Sequence, residues 1–417
     1  MSARIPHSRR RAAVAASAAA LVTAAAALLA PPATARADDA LRTVTPTLPE
    51  PSGPHRLGTF EMHLVDADRT DPWAPDGGPR EVMVNIWYPA APHARGPRTP
   101  YMSHDLASYH EQSVESLGAP ADSVDFTGIR THARTGVPAA PGATDLPVLV
   151  YSPGGGLSRT MGTTLVEDLA SRGHIVVTVD HTYQAPVELP DGMEFPASGV
   201  DMSQALRERV RDITFVLDEL ADLRSGANPD TLDRPIPDGV AAALDLTRVG
   251  MFGHSMGGFA SAETMLTDPR IDAGVNMDGS MPPRYGQAAE TGVDRPFLLM
   301  GAGTSGDDGR PHHHLDTPEW RTFWDRSTGW RRDVYMADGE HMSFTDHQVL
   351  LPQLADALEL EEEERLLTEA IGTVPHEQSL AAQRAYLSAF FDLHLRGGSG
   401  SLFEEPSPEH PAVELIE

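Results

Sequence analysis

The 417-residue chain contains no cysteine. A thiol nucleophile, a cysteine-ligated zinc and a disulfide framework are therefore excluded. Lysine is also absent, so every positive side chain is arginine. A Walker-type phosphate loop requires a lysine and is excluded with it. Against 60 acidic residues stand 32 basic ones, for a formal net charge of -28. Such an excess of acid repels phosphate backbones and anionic membrane surfaces, which argues against nucleic acid and polybasic lipid anchoring. An acidic surface also keeps an exported protein soluble. After the N-terminal region no segment is apolar for long enough to span a bilayer, so no stable membrane anchor is expected. Hydrophobic residues make up 40% of the chain, enough for one large core.

The N-terminus carries its own pattern. Arg9, Arg10 and Arg11 precede an Ala-rich apolar run from Ala12 to Ala30, and Ala35-Arg36-Ala37 then precedes Asp38. A charged head, a short apolar middle and a small-residue exit make a cleavable secretory signal over residues 1–37, and the paired arginines suit a twin-arginine route. The expected location is outside the cell. Residues 38–79 are rich in Pro, Asp and Thr and read as a poorly ordered lead-in. Residues 80–417 read as a single catalytic domain.

Within that domain Glu81 to Tyr88 forms a strand pattern stopped by Pro89, and Pro92 to Pro147 reads as loops and short helices. Short continuous apolar runs follow at Val148 to Tyr151, Ile175 to Val179, Val249 to Phe252, Val275 to Met277 and Phe297 to Met300. Continuous apolarity is what strands covered on both faces require. Met202, Leu206, Val210, Ile213, Val216, Leu217, Leu220 and Leu223 recur at helical steps behind Asp201, a suitable N-cap. The fold class is α/β, with a mostly parallel central sheet and helices on both faces.

Gly253-His254-Ser255-Met256-Gly257 stands at a strand-to-helix junction. That context turns a common G-x-S-x-G string into a nucleophile elbow of the α/β-hydrolase fold, with Ser255 as nucleophile. The N–H of Met256 is one expected oxyanion donor. His254 is on the same tight turn and reads as a packed histidine. Ser152-Pro153-Gly154-Gly155-Gly156 follows an early strand, where this fold sets its second donor. Gly155 N–H is the expected donor, with Gly154 its neighbouring alternative.

A serine hydroxyl needs a histidine to take its proton, and that histidine needs a carboxylate. The chain order in this fold is Ser, acid, His. Asp278 ends the strand Val275 to Met277 and is the expected acid; Asp272 lies at the wrong end of that strand, and Asp180 reads as a loop-turn residue. His341 follows the short strand Val334 to Met336 and is the expected base. His312, His313 and His314 read as a solvated loop. No cofactor and no metal are called for.

These segments together resemble the plasma-type (isoform II) platelet-activating factor acetylhydrolase family, as a bacterial secreted member. The resemblance rests on Ser152 to Gly156, Gly253 to Gly258, Met277-Asp278-Gly279 and His341-Met342-Ser343-Phe344-Thr345-Asp346. Ile86-Trp87-Tyr88-Pro89, Asp180-His181 and the tail from Pro406 to Glu417 also fit it. The resemblance implies a triad of Ser255, Asp278 and His341, oxyanion donors at Gly155 and Met256, and calcium-independent removal of short or oxidised acyl chains from phospholipids. The family's animal members carry His and Leu where Pro153 and Gly155 stand, and Phe where Met256 stands. Secreted polyester hydrolases and cutinase-like enzymes have a similar Gly-His-Ser-Met-Gly-Gly. The alternatives are thus a general short-chain esterase, lipase or polyester hydrolase, or a non-catalytic binding protein on a hydrolase scaffold.

Overall fold

The structure is a computed structural model that describes residues 43–116, 119–305, 309–358 and 363–417. The expected signal segment, residues 1–37, lies outside the described residues. The strands are β1 Leu57–Thr70, β2 Pro79–Pro89, β3 Arg98–Pro100, β4 Arg130–Thr135, β5 Leu146–Ser152, β6 Ile175–His181, β7 Val187–Leu189, β8 Gly192–Glu194, β9 Leu244–His254, β10 Ile271–Met277, β11 Phe297–Ala302, β12 Thr304–Ser305, β13 Arg310–Pro311, β14 Arg331–Met336 and β15 Glu414–Ile416. One sheet runs in the order β15-β14-β11-β10-β9-β5-β6-β2-β1-β4-β3. From β6 through β14 all neighbours are parallel. β2 joins β6 antiparallel, and the tail strand β15 closes the other edge antiparallel to β14. β7–β8 and β12–β13 are separate two-stranded ribbons.

Alternate residues of the central strands feed two cores. Val148, Val150, Val177 and Met251 pack with Leu206, Ile213 and Leu220 of the helix Met202–Ser225 and with Phe259 and Met265 of the helix Met256–Thr267. Leu149, Tyr151, Val176 and Phe252 face the opposite way, onto Leu165 and Leu169 of the helix Thr163–Ser171 and Tyr386, Phe390 and Phe391 of the helix His376–Arg396. Both faces are covered, which explains the unbroken apolar runs. Asp201 caps the first of these helices, accepting from the Gln204 N–H at 2.8 Å.

Residues 43–79 depart from the expected lead-in. β1 lies within them and pairs antiparallel with β2 from Leu57↔Pro89 to Asp66↔Arg80. Phe60, Met62 and Leu64 alternate into the first core, the period of a half-buried strand. Charged residues farther along β1 and on β2 obscure the pattern, because Arg69 and Arg80 are drawn inward to the buried carboxylate of Asp212. The stretch 92–147 likewise holds β3 and β4, which extend the sheet beyond β1, besides the expected helix (His104–Ser116).

Parallel pairing brings the strand ends level. Ser152 pairs with Gly253, His254 with Met277, Met277 with Met300, and Ala302 with Met336. The segments that follow β5, β9, β10 and β14 therefore meet along one rim.

Candidate active site

Ser255 stands on that rim, between β9 and the helix Met256–Thr267. Its backbone is at φ 54° and ψ -120°, a conformation that L-residues rarely adopt and that costs on the order of 1–3 kcal/mol. The turn holds because nothing blocks it. A Cβ on Gly257 would overlap the Ser152 carbonyl, and one on Gly279 would overlap the carbonyl of Ser255 itself. The glycines of the elbow and of Asp278-Gly279 are thus demanded by backbone approach. Ser255 N–H donates to Met277 O at 2.8 Å, tying elbow to β10. Met256 is the first residue of its helix, so its N–H has no acceptor within that helix.

The Ser152–Gly156 loop is held from beneath by Arg209. This guanidinium is fully buried on the helix Met202–Ser225. Its Nη1 donates to Pro153 O and to Ser152 Oγ (3.3 Å), its Nη2 to Gly154 O at 3.2 Å and its Nε to Gln184 Oε1 at 2.7 Å. In a trans peptide the N–H points opposite to the C=O. With Gly154 O turned toward Arg209, the Gly155 N–H of the same peptide points away from the guanidinium, and it donates to no described residue. Gly154 is buried and its Cα packs close to the His254 ring, whereas Gly155 is exposed with open space at its Cβ position. Burial lowers the Arg209 pKa to about 9, so the group remains charged at neutral pH.

A buried relay supports this clamp. Ser152 O–H donates to His181 Nε2 at 2.9 Å, and His181 Nδ1–H donates to Asp212 Oδ2 at 2.9 Å. Burial and then Arg209 lower the His181 pKa to about 3, which keeps the ring neutral. Arg80 meets both oxygens of Asp212, at 3.0 and 2.7 Å.

Asp278 follows β10 at φ 57° and is buried. His341 Nδ1 lies 2.5 Å from Asp278 Oδ2. The other oxygen, Oδ1, accepts the Ala302 N–H at 3.0 Å and His312 Nδ1 at 2.7 Å. Burial alone would raise this carboxyl; the His312 and His341 imidazoles overcome it and hold the group well below the usual carboxylate range. His341 opens a 3₁₀ turn, His341–Phe344, and its side chain is 42% exposed. Phe344, fully buried in the second core, anchors that turn. With Nδ1 committed to Asp278, Nε2 is the free ring nitrogen. Ser255 Oγ has no hydrogen-bond partner among the described residues, an arrangement common before substrate tightens the site.

His254 is a packed residue. It is buried, its Nε2–H donates to the His341 carbonyl at 2.9 Å, and its ring lies 4.4 Å from that of His341. Asp272 accepts from Val249 N–H at 2.9 Å at the opposite end of the sheet. Asp180 differs from the loop-turn expectation: it is a buried β6 residue paired with Arg159.

Two features are not evident from the sequence: the burial of three histidines and the role of Arg209. The three histidines are not a solvated loop: each is buried and has its own carboxylate. His312 meets Asp278, His313 meets Asp316 at 3.3 Å and His314 meets Asp333 at 2.8 Å. Among the described residues no group of His, Asp and Glu is arranged to hold a metal ion, and no helix is long and apolar enough to cross a membrane. Arg209 has a legible signal, since with Asp212 it places a charge among the buried apolar positions of this helix. A cavity of about 500 Å³ lined by Arg56, His93, Arg95 and Arg134 contains none of these site residues.

Known proteins are similar to this chain. The family profile for platelet-activating factor acetylhydrolase, isoform II, matches residues 44–187. A probable 1-alkyl-2-acetylglycerophosphocholine esterase of Arthroderma benhamiae is 27% identical over 89% of this chain and 94% of its own length. The platelet-activating factor acetylhydrolase of Bos taurus is 26% identical over 37% of this chain and 39% of its own. Among solved structures, a ferulic acid esterase from Streptomyces cinnamoneus superposes with a TM-score of 0.71 at 36% identity, covering 89% of this chain and 99% of that one. The chain is similar to the platelet-activating factor acetylhydrolase isoform II family, has the α/β-hydrolase fold and is a carboxylic ester hydrolase.

Proposed function

We propose that the protein is a secreted serine esterase that works through Ser255, His341 and Asp278 and passes through an acyl-enzyme. The observation that carries this reading is the 2.5 Å contact of His341 Nδ1 with Asp278 Oδ2, made beside an elbow whose serine is held at positive φ. Nδ1–H donates to the carboxylate, so Nε2 is the basic nitrogen. It takes the Ser255 proton as Oγ attacks the ester carbonyl. The oxyanion that forms is met by the N–H groups of Gly155 and Met256. Collapse breaks the ester C–O bond, and His341 returns the proton to the departing alcohol. Water, deprotonated by His341, then attacks the acyl carbonyl; the bond from that carbon to Ser255 Oγ breaks, His341 returns the proton to Oγ and the carboxylic acid departs.

The substrates are short acyl esters of phospholipids. The names borne by the Arthroderma and bovine relatives support this class. A second reading, a general esterase with an aromatic or short acyl group, draws on the ferulic acid esterase neighbour and on the 183–200 segment. That segment borders the oxyanion loop through Gln184 O, which accepts the Gly156 N–H at 2.9 Å, and it sets half-exposed Phe195 5.5 Å from Tyr109. Turnover of an acetylated ether phospholipid, a p-nitrophenyl ester chain-length series and methyl ferulate separates the two. Preference for the phospholipid supports the first reading; a higher kcat/KM on methyl ferulate or on long-chain esters rejects it. Export is tested by the N-terminal sequence of protein recovered from culture medium, which should begin at Asp38; protein retained in the cell with residues 1–37 attached rejects it.

A further inference from the structure

The acid of the proposed triad is gripped by two histidines, and only one of them can meet a substrate. His341 is partly exposed, while the His312 side chain is 3% exposed. Their Nδ1 atoms take different oxygens of Asp278: Oδ2 for His341 at 2.5 Å and Oδ1 for His312 at 2.7 Å.

His312 is itself held on several sides. Its backbone N–H donates to Gly303 O at 3.2 Å. Its ring lies 4.2 Å from that of Trp320, inclined by 34°. Trp320 Nε1 in turn donates to Gly279 O at 2.9 Å, so the indole behind His312 is pinned to the residue after the acid. A Cβ at Gly301 would overlap the His312 carbonyl, which leaves the loop no room to slide. Among the described residues His312 Nε2 is buried without a partner, and the ring's polar contact is the one with Asp278. Donation to a carboxylate requires the proton on Nδ1.

We propose that His312 is a positioning residue for the acid. It fixes the rotation of the Asp278 carboxylate through Oδ1, leaving Oδ2 aimed at His341, and it withdraws charge that Asp278 would otherwise offer to the protonated base. The inference rests on Asp278 being the triad acid. It extends that reading to a buried residue that touches neither serine nor substrate. Charged and titratable groups face His312 from each neighbouring element: Asp278 after β10, Glu319 on the helix Pro318–Arg326 and Asp333 on β14. Burial opposes a charge on the ring, but these carboxylates outweigh it and raise the His312 pKa.

The test compares His312→Leu, His312→Asn and His312→Gln, with pH profiles of kcat and kcat/KM for a soluble acetyl ester. Asn places its amide N–H where Nδ1 stands; Gln places it where Nε2 stands. The expected result for His312→Leu is a kcat lower by about 10- to 100-fold with KM little changed, a loss of the size seen when an outer partner of a working group is removed. Without His312 the carboxylate holds the imidazolium of His341 more strongly, so the acidic limb moves up by roughly half a pH unit. His312→Asn should recover most of kcat. Should the leucine variant fail to fold, the same contrast is read between His312→Asn, which retains activity, and His312→Gln, which does not. Wild-type kcat in the leucine variant overturns the proposal. So do an unmoved or lowered limb, and equal losses in the Asn and Gln variants. Asp278→Asn, measured in parallel, separates this from the triad: if that variant keeps its kcat the triad reading itself fails, whereas a large loss there beside an unaffected His312→Leu rejects the positioning role alone.

Discussion

His341 Nδ1 and Asp278 Oδ2 stand 2.5 Å apart although 63 residues of chain separate them. The contact fixes which ring nitrogen holds the proton, so it governs the tautomer and not only the position of the proposed base. Asp278→Asn keeps the size of the side chain and can present an N–H where an acceptor is needed. Its kcat should fall by about ten-thousand-fold with the fold intact by circular dichroism. A kcat within tenfold of wild type would remove Asp278 from the mechanism.

Arg209 addresses the Ser152–Gly156 loop, the proposed oxyanion loop, through the carbonyls of Pro153 and Gly154. Lysine keeps a positive charge but cannot bridge both carbonyls with a planar fork. Arg209→Lys should lower kcat by about 10- to 100-fold and leave KM nearly unchanged, since the loss falls on the charge that develops in the transition state. Steady-state kinetics alongside thermal unfolding checks this. A rise in KM at constant kcat would place Arg209 in substrate binding instead.

Backbone clearance makes a prediction about stability. Ala at Gly257 or Gly279 forces a methyl group into the carbonyl of Ser152 or Ser255, and neither carbonyl is free to move. Each substitution should cost on the order of 2–4 kcal/mol in urea denaturation. Gly155→Ala has open space around it and should stay within about 1 kcal/mol of wild type. Equal midpoints for all three variants would contradict the packing described for the elbow.

A pH-dependent term arises at Asp346. Its buried carboxyl accepts from Thr164 N–H (3.1 Å), Thr164 Oγ1 (2.6 Å) and Tyr101 O–H (2.9 Å), yet burial prevails and raises its pKa from 3.8 to about 6. The folded state therefore binds this proton more tightly than the unfolded chain does. The stabilisation is complete below about pH 4 and is lost as pH rises through about 6. Relative to Asp346→Asn, which cannot ionise, the wild-type protein should be most stable near pH 4 and lose on the order of 2–3 kcal/mol by pH 7. Chemical denaturation at several pH values measures the difference; a wild-type protein that gains stability relative to Asp346→Asn as pH rises from 4 to 7 contradicts the sign.

The parts of the site that sequence makes legible are those fixed by strand ends. Val249 to Phe252 is a buried strand whatever surrounds it, so the Gly253-His254-Ser255-Met256-Gly257 string that follows has a place on the sheet before any coordinate is known. Asp278 and His341 gain meaning the same way, from the strands Val275 to Met277 and Val334 to Met336. What stays hidden depends on partners brought from afar. His312 and His314 look like part of a solvated run because Asp278 and Asp333 become their neighbours only after folding. β1 is obscured because Arg69 turns inward to Asp212, an ion pair that spans 143 residues. Arg209 presents a charge at a core position of a helix, and only the loop carbonyls above it explain why the chain tolerates that burial.

The identity of the nucleophile is tested most directly by an active-site label. Fluorophosphonate treatment of the purified protein, followed by peptide mass spectrometry, should give a single adduct on Ser255 and stoichiometric loss of ester hydrolysis. Ser255→Ala should be neither labelled nor active. A label on another residue, or ester hydrolysis that persists undiminished in Ser255→Ala, would contradict it.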